Sequence, residues 1–384
     1  MAHIKKYKIN EGKETKYKAI VEVGDSKTRQ RKTKSFKRKK DAEEWLNEII
    51  YSKNSGYKVD KNDITVGDRL DKWLQTKKAT KRPTTYDRYK YKVNSHLKPY
   101  FGDILLQELE PKDIEDYLTL KRISGRRDGK EGGLSENTLK KHCVILNNML
   151  KKAVKLKLIK TNPMNAIEMP KPEQYEALAM DENESKTLLK AAKQDDLMYH
   201  FIYTLLLTGM RRSEVLGLEW DKINFKEGYI DIKQALLPIS QGSILESKLK
   251  SIEGKRKILM YNDLAYALKK YKVKQNELRL KYGKEYYDKN DFVFCHPDGK
   301  PYHPNTYYKN FKKLIKETGL NNKYYIHTLR HTFATLNLKN DVPMKIVQKM
   351  LGHTLLSTTA DIYTHPEMEM QKVPIAKLGR LISV

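Results

Sequence analysis

Apolar residues at helical spacing constrain most of this chain to fold as helices. After Thr65 they recur at Val66, Leu70 and Trp73, which places them on one face of a helix. Thr65 is followed three residues later by an acid, and this capping-box pattern is typical of a helix start. Ser135 opens a second apolar stripe of the same kind. The sequence therefore predicts a mainly α protein.

Two regions depart from the helical period and favour strands. Residues 17–23 and 32–37 are β-prone, and we expect Asp41 to cap the helix that follows them. Residues 229–233 and 256–260 are also β-prone and are expected to pair with each other. The sequence thus predicts a β/α module at the N-terminus and a small β-sheet within a later helical domain.

Prolines separate the two helical regions. Pro163, Pro170 and Pro172 disfavour helix at and just before their own positions, so we expect an extended linker there. The predicted fold class is therefore mainly α and multidomain. The expected segments are a small β/α module at 1–60, a helical domain at 64–158, the linker at 159–178 and a mixed α domain with a small β-sheet at 179–384.

The charge of the chain points to a polyanionic partner. It has 76 Lys and Arg against 48 Asp and Glu, a formal net charge of +28. Such an excess destabilises a compact fold by self-repulsion, and nucleic acid is the usual polyanion that relieves it. Two basic runs are the candidate contacts, although a solvated loop or helix face also explains them. The candidate DNA-binding residues are Lys37, Arg38, Lys39, Lys40, Arg88, Lys90 and Lys92.

Membrane, secreted and disulfide-rich proteins fit the sequence poorly. No apolar run approaches the length of about 18 residues that a membrane span needs, and the N-terminus lacks the apolar core of a secretory signal. Cys143 and Cys295 are far apart in sequence, which argues against a cysteine zinc site or a disulfide framework. We therefore expect a cytoplasmic protein with no membrane partner.

Four short motifs in the second half of the chain contain residues suited to phosphate chemistry. Arg211 stands where one helix is expected to end and the next to begin, near amide groups that favour anions. His327 and Arg330 are three positions apart and share a helix face. Taken singly, each motif also has a purely structural explanation. The motifs are Gly209–Glu214, His327–His331, Leu351–His353 and Tyr363–His365.

Zinc binding is a second interpretation of one motif. His327 and His331 are four positions apart, as in metalloprotease helices, but those helices need Glu where Thr328 stands. A zinc site is therefore disfavoured, and no metal is expected.

Taken together and in this order, the motifs resemble the tyrosine recombinase (phage-type integrase) family. The family pattern is Gly-x-Arg-x-Ser-Glu, then His-x-Leu-Arg-His, then Leu-Gly-His and a tyrosine, and here Tyr363 follows His353 by ten residues. The layout is similar to integrases of conjugative transposons and temperate phages, in which a small N-terminal domain binds arm sites, a helical domain binds the core site and the C-terminal domain is catalytic. The resemblance implies a site-specific DNA recombinase that integrates and excises a mobile element.

The resemblance also implies roles for individual residues. Tyr363 is the implied nucleophile, which forms a 3′-phosphotyrosine. Its attack builds negative charge on the phosphate, and fixed guanidinium groups stabilise such charge, so no ATP, metal or other cofactor is expected. The other implied site residues are Arg211 and Arg330 as a phosphate clamp, His327 in a base-like role, His353 as a hydrogen-bond donor to phosphate and Glu214 as a support for the arginines.

The general acid of the family is a lysine on a β-turn, usually followed by threonine. The matching stretch here is Ser247-Lys248-Leu249-Lys250, in which Leu249 replaces the threonine. Lys248 fits the family position, and Lys250 is the alternative.

The resemblance implies double-stranded DNA with core and arm attachment sites as the partner. It further implies a homo-oligomer on DNA, with a tetramer in the synaptic complex, and help from an excisionase and a host DNA-bending protein in the bacterial nucleoid. We expect residues 370–384 to dock on a neighbouring protomer.

Two other interpretations stay open at the level of the sequence. One is a nicking–closing enzyme similar to type IB topoisomerases, and the other is a catalytically silent DNA-binding protein. The second does not require Tyr363, so the complete set of motifs argues against it. The source of the mobile element, a prophage or a conjugative transposon, is also open.

Overall fold

A computed structural model describes most of the chain as two compact units, Met1–Glu173 and Gln174–Val384. None of the helices in its described part is long and apolar enough to cross a membrane. The predicted fold class, mainly α with small sheets, is confirmed. The described residues are 2–9, 14–23, 30–54, 62–172, 177–239, 242–247 and 255–352.

The first unit begins with a three-stranded antiparallel sheet followed by a helix. Its elements are β1 (Ala2–Ile9), β2 (Glu14–Val23), β3 (Gln30–Phe36) and α1 (Lys39–Asn54), with the strands in the order β1-β2-β3. Their shared core consists of Ala19, Val21, Ala42 and Leu46. The sequence did not predict β1, because its lysines give it little β-propensity. Pairing with β2 stabilises this strand in the fold.

The start of α1 differs from the expectation. The helix begins at Lys39, and Asp41 lies in its first turn instead of at the cap. A carboxylate there still favours the helix start, because the first turn carries the positive end of the helix dipole.

The rest of the first unit is a helical bundle with a hydrophobic core of its own. The Thr65 cap is present: its backbone N–H donates to Asp68 at 3.0 Å, and the Asp68 N–H donates to the Thr65 hydroxyl at 3.1 Å. Ser135 caps a long helix as predicted. The helices are α2 (Val66–Thr80), α3 (Pro83–Lys92), a π-helical turn (Val93–Leu97), α4 (Lys98–Phe101), α5 (Pro111–Ile123) and α6 (Glu136–Lys155).

The first part of the expected linker at 159–178 packs on the helical bundle. Ile159, Met164 and Ile167 are buried in the core of the helical bundle. Pro163 starts a 3₁₀ turn, Pro163–Ala166, instead of interrupting the packing. A proline is tolerated in a first turn, and the apolar residues around it gain free energy by leaving water.

The second unit packs most of its helices around a large core that includes Phe201, Phe311 and Leu329, and a smaller apolar cluster joins α12 to α13. Asp181 and Glu184 form a capping box at its first helix. The helices are α7 (Glu182–Ala192), α8 (Asp196–Thr208), α9 (Arg212–Leu216), α10 (Asn262–Tyr282), α11 (Pro304–Thr318), α12 (Ile326–Lys339) and α13 (Met344–Leu351).

The described part of the second unit also contains two small sheets. The strands are β4 (Ile223–Asn224), β5 (Tyr229–Ile232), β6 (Ala235–Ile239), β7 (Gly242–Glu246) and β8 (Arg256–Leu259). Strands β5 and β8 pair antiparallel with Ile232 opposite Arg256, which confirms the predicted pairing. The hairpin of β6 and β7 was not predicted. This register places Arg256 at the beginning of β8.

Candidate active site

Arg211 lies in a sharp junction between two helices, as expected. Helix α8 ends at Thr208, the following Gly209 reverses the chain with a left-handed φ of 59°, and α9 begins at Arg212. The Arg211 side chain is 37% exposed and is therefore accessible from solvent. The predicted position of this arginine at a helix start is confirmed.

A buried carboxylate holds Arg211 in place. Glu214 accepts from Arg211 Nη1 at 2.7 Å and from the Arg211 backbone N–H at 2.8 Å. The same carboxylate accepts from Arg256 Nη2 at 3.0 Å and from Arg256 Nη1 at 3.3 Å. Glu214 thus joins α9 to strand β8.

The charge of Glu214 is secured by its arginine partners. Burial raises the pKa of this carboxyl, but Arg256 and Arg211 outweigh that effect and hold the pKa below its usual value. Glu214 is therefore ionised at neutral pH although only 2% of it is exposed.

Arg330 is enclosed between two helix ends. Its Nη1 donates to the Gly209 carbonyl and its Nη2 to the Leu351 carbonyl, each at 2.7 Å. The residue is 2% exposed, and burial, assisted by the nearby Arg211, lowers its pKa to about 9. Arg330 remains charged at neutral pH. Its enclosure was not expected from the sequence, which suggested an arginine open to phosphate.

The end of α13 meets all three arginines of the cluster. Arg256 Nε donates to the Met350 carbonyl at 2.6 Å, and Arg211 Nη2 donates to the Gly352 carbonyl at 2.9 Å. Together with the bond from Arg330 to Leu351, three successive carbonyls at the end of this helix are bound by guanidinium groups. Cations are favoured there because the C-terminal end of a helix carries partial negative charge.

His327 and His331 lie on α12 with different environments. His327 is exposed in the first turn, and its ring stands edge-on to that of His331 with centroids 4.7 Å apart. Burial, with a contribution from Arg330, lowers the pKa of His331 to about 4, so this ring is neutral at pH 7. Among the described residues, no group of three or more His, Cys, Asp and Glu side chains forms a metal site.

Several predicted site residues lie outside the described part of the chain. They are Lys248, its alternative Lys250, His353 and Tyr363, together with the segment 370–384. Of the predicted site residues that the structure does describe, Arg211, Glu214 and Arg330 lie together, and His327 lies one helical turn before Arg330.

Arg256 is the member of the cluster that was not expected from the sequence. Its position was recognised only as part of a β-prone segment. The one available signal was a charged residue at the start of a β-prone segment, two positions before the apolar Ile258. That signal does not distinguish a buried arginine from a solvated one.

The candidate DNA-binding residues lie in the first unit. Residues 37–40 are exposed at the start of α1, and Arg88 and Lys90 are exposed on α3. Lys92 is half-buried, and burial, together with the neighbouring charges of Lys141 and Arg88, lowers its pKa.

Comparisons with known proteins agree on one family. Residues 179–370, half of the chain, match the family model described as "Phage integrase family", and residues 65–120 match "Phage integrase, N-terminal SAM-like domain". A tyrosine recombinase XerC-like protein of Caldanaerobacter subterraneus is 28% identical over 93% of this chain and 94% of its own length. The ICEBs1 integrase of Bacillus subtilis is 24% identical over 81% of each chain.

Solved structures show the same fold. The Tn1549 transposon integrase in complex with a circular intermediate DNA superimposes with a TM-score of 0.66 at 20% identity, over 82% of this chain and 99% of that chain. A lambda integrase tetramer bound to a Holliday junction gives a TM-score of 0.59 at 18% identity, over 94% and 96% of the two chains. With the arginine cluster inside the matched region, the chain belongs to the phage integrase family of tyrosine recombinases.

Proposed function

We propose that this protein is an integrase that cuts and rejoins double-stranded DNA at specific sites to integrate and excise a mobile element. The observation that carries the proposal is the cluster of Arg211, Arg330 and Arg256 around one buried carboxylate, within the segment that matches the integrase family. Such a preorganised positive site suits a transition state in which negative charge grows on phosphate.

The proposed reaction transfers a phosphoryl group to tyrosine. The Tyr363 oxygen attacks the scissile phosphorus, the bond to the 5′ oxygen breaks, and a 3′-phosphotyrosine forms. The tyrosine proton passes to His327 in its base-like role, and Lys248, or alternatively Lys250, protonates the departing 5′ oxygen. Religation reverses these steps with a new 5′ hydroxyl, so the bond energy is retained without ATP.

The arginines stabilise the phosphate during this transfer. Arg211 is accessible and is the proposed direct contact, with His353 as a further hydrogen-bond donor. The guanidinium of Arg330 is held by two backbone carbonyls and contributes its charge at the base of the site. Loss of one such contribution costs about a hundredfold in rate.

Basic surfaces of the first unit support the assignment of DNA as the partner. Lys92 and Lys141 repel each other across α3 and α6, and a phosphate backbone relieves that repulsion. We assign residues 37–40 to arm-site DNA and Arg88, Lys90 and Lys92 to core-site DNA.

The proposed assembly is a tetramer on paired sites. The lambda integrase tetramer on a Holliday junction and the Tn1549 integrase on DNA share the fold of this chain, and we extend their DNA binding and assembly to it. An excisionase and a host DNA-bending protein are further proposed partners, and the bacterial cytoplasm is the proposed location.

Covalent capture tests the proposal. Nicked duplexes from the DNA that flanks the gene are incubated with the protein in EDTA, and a denaturation-resistant protein–DNA band is sought. We expect this band for the wild type and its disappearance in Tyr363→Phe, because the variant lacks the attacking oxygen but keeps the DNA contacts. The retained gel shift of the variant is the control.

The outcomes also separate the alternative functions. An adduct that survives Tyr363→Phe places the nucleophile elsewhere. A gel shift without any adduct over the whole flanking region indicates a silent DNA-binding protein. An adduct without strand exchange between two supplied sites indicates a nicking–closing enzyme.

A further inference from the structure

Arg256 is a buried arginine for which the proposed chemistry has no role. Its side chain is 7% exposed, so it does not itself reach a bound DNA. It nevertheless bonds to two groups of the site, the Glu214 carboxylate and the Met350 carbonyl. Arg256 therefore has the contacts of a residue that acts through its neighbours.

The first contact divides one carboxylate between two arginines. Glu214 Oε1 accepts from Arg211 at 2.7 Å and from Arg256 at 3.3 Å, and Oε2 accepts from Arg256 at 3.0 Å. Two guanidinium groups and one carboxylate carry one net positive charge. Without Arg256, Arg211 and Glu214 form a neutral pair, which attracts a phosphate less strongly.

The second contact fixes the end of a helix. Arg256 holds the Met350 carbonyl at 2.6 Å, next to the carbonyls that Arg330 and Arg211 hold. Because Arg256 stands on β8, it connects that strand both to α13 and to the carboxylate of α9. Its planar fork directs Nε to Met350 and both Nη atoms to Glu214 in one fixed geometry, which the compact ammonium group of a lysine does not reproduce.

We propose that Arg256 is a positioning residue for DNA cleavage: by sharing Glu214 it leaves the group of Arg211, Glu214 and Arg256 with a net positive charge, and by also holding Met350 it keeps the accessible Arg211 in place for the scissile phosphate. This inference rests on the proposed recombinase function. It predicts that loss of Arg256 slows cleavage most when the scissile phosphate is charged. If Arg256 were only a structural ion pair, its loss would slow cleavage of charged and uncharged phosphates equally.

The test compares two substrates in single-turnover covalent capture at saturating DNA. One nicked duplex has the normal scissile phosphate, and the other has a methylphosphonate there, which lacks the negative charge. In both, the Tyr363 oxygen forms the new bond to phosphorus and the 5′ oxygen departs. The variants are Arg256→Lys and Arg256→Gln, and thermal unfolding with circular dichroism measures their folded fraction.

Arg279→Gln is the matched control. Arg279 is in the same unit and pairs with Asp291 at 3.4 Å, but its side chain is 45% exposed. The same loss of an arginine charge occurs there away from Glu214, so the control variant should cleave both substrates at the wild-type rate.

On the normal phosphate we expect Arg256→Gln to be about ten- to a hundredfold slower than wild type, with Arg256→Lys in between and DNA affinity retained. On the methylphosphonate the difference from wild type should shrink to about threefold or less, because less charge has to be stabilised. Arg256→Lys keeps the charge and most of the volume, and it provides the comparison if the Gln variant does not fold.

Equal losses on the two substrates, or a loss in Arg279→Gln of the same size, would overturn the inference and leave Arg256 as a structural ion pair. A wild-type protein that forms no adduct on either substrate contradicts the proposed function itself. The two failures are therefore distinct.

Discussion

At the residue scale, Gly209 meets two requirements of the arginine cluster at once. Its φ of 59° turns the chain sharply between α8 and α9, and its carbonyl accepts a hydrogen bond from Arg330. A Cβ built on this residue would lie 2.4 Å from Phe333 Cδ1 and 2.9 Å from Leu351 Cδ2. Both the conformation and the lack of space call for glycine.

We predict that Gly209→Ala destabilises the fold by about 2–4 kcal/mol, as left-handed strain and overpacking add. Covalent capture should slow as well, because the displaced carbonyl no longer holds Arg330. Thermal unfolding and adduct formation measure the two effects.

Gly319→Ala is the matched control for this prediction. Gly319 also ends a helix with a left-handed φ of 69°, but nothing lies within 4 Å of its Cβ position. It should show only the backbone strain of about 1–2 kcal/mol and no loss of cleavage. Equal effects at the two glycines would show that the contacts with Phe333 and Leu351 are unimportant.

At the element scale, helix α6 buries a histidine in its apolar stripe. His142 is fully buried, its Nδ1 is 2.8 Å from the Tyr117 hydroxyl, and its ring centroid is 5.0 Å from that of His96. Burial, assisted by His96 and by nearby lysines, lowers the pKa of His142 to about 3. Folding therefore favours the neutral ring.

The lowered pKa predicts that acid destabilises the helical bundle. In the unfolded chain the pKa of His142 is about 6.5, so below that pH the unfolded chain binds a proton that the native ring does not bind. The free energy of unfolding therefore falls as the pH drops from about 6.5 towards 3. Between pH 7 and pH 5, His142 alone lowers the free energy of unfolding by about 2 kcal/mol. Denaturant unfolding of the full chain at the two pH values measures it.

Two histidine variants check that prediction. His142→Gln does not titrate, so its stability should depend less on pH, although its stability at pH 7 is lower than that of the wild type. His3→Gln changes an exposed histidine of β1, outside the helical bundle, and should keep the full dependence on pH. If His142→Gln lost as much stability between pH 7 and pH 5 as the wild type, His142 would not be the source of the pH dependence.

At the scale of the whole molecule, the net charge of +28 makes DNA binding sensitive to salt. We predict that replacing residues 37–40 by Gln weakens binding to arm-site DNA and flattens its salt dependence. The slope of log K against log salt is negative, and each lost phosphate contact reduces its magnitude by about 0.9. Filter binding over a salt series measures the slope, and core cleavage on a short duplex should remain intact.

The control places the same loss of charge in the second unit. Gln at Lys269, Lys270, Lys272 and Lys274 on α10 should leave the preference for arm-site DNA unchanged. If the variant at 37–40 instead loses core cleavage, the N-terminal module does not have the assigned role.

Much of the local structure was predictable because its causes lie within a few residues. The caps at Thr65, Ser135 and Asp181 depend on side chains that bond to backbone groups three positions away. The pairing of β5 with β8 followed from two β-prone stretches. The motif residues Arg211 and Glu214 were likewise close enough in sequence to be grouped.

What the sequence determined by itself was therefore the class of the fold, several of its helix starts and the family. The tertiary structure decided that residues 159–167 pack on the helical bundle, that Arg330 is enclosed and that Arg256 completes the cluster. The bonds of Arg256 to Glu214 span 42 positions and that of Arg330 to Gly209 spans 121. Such contacts depend on how whole elements pack against each other, which no local pattern of residues encodes.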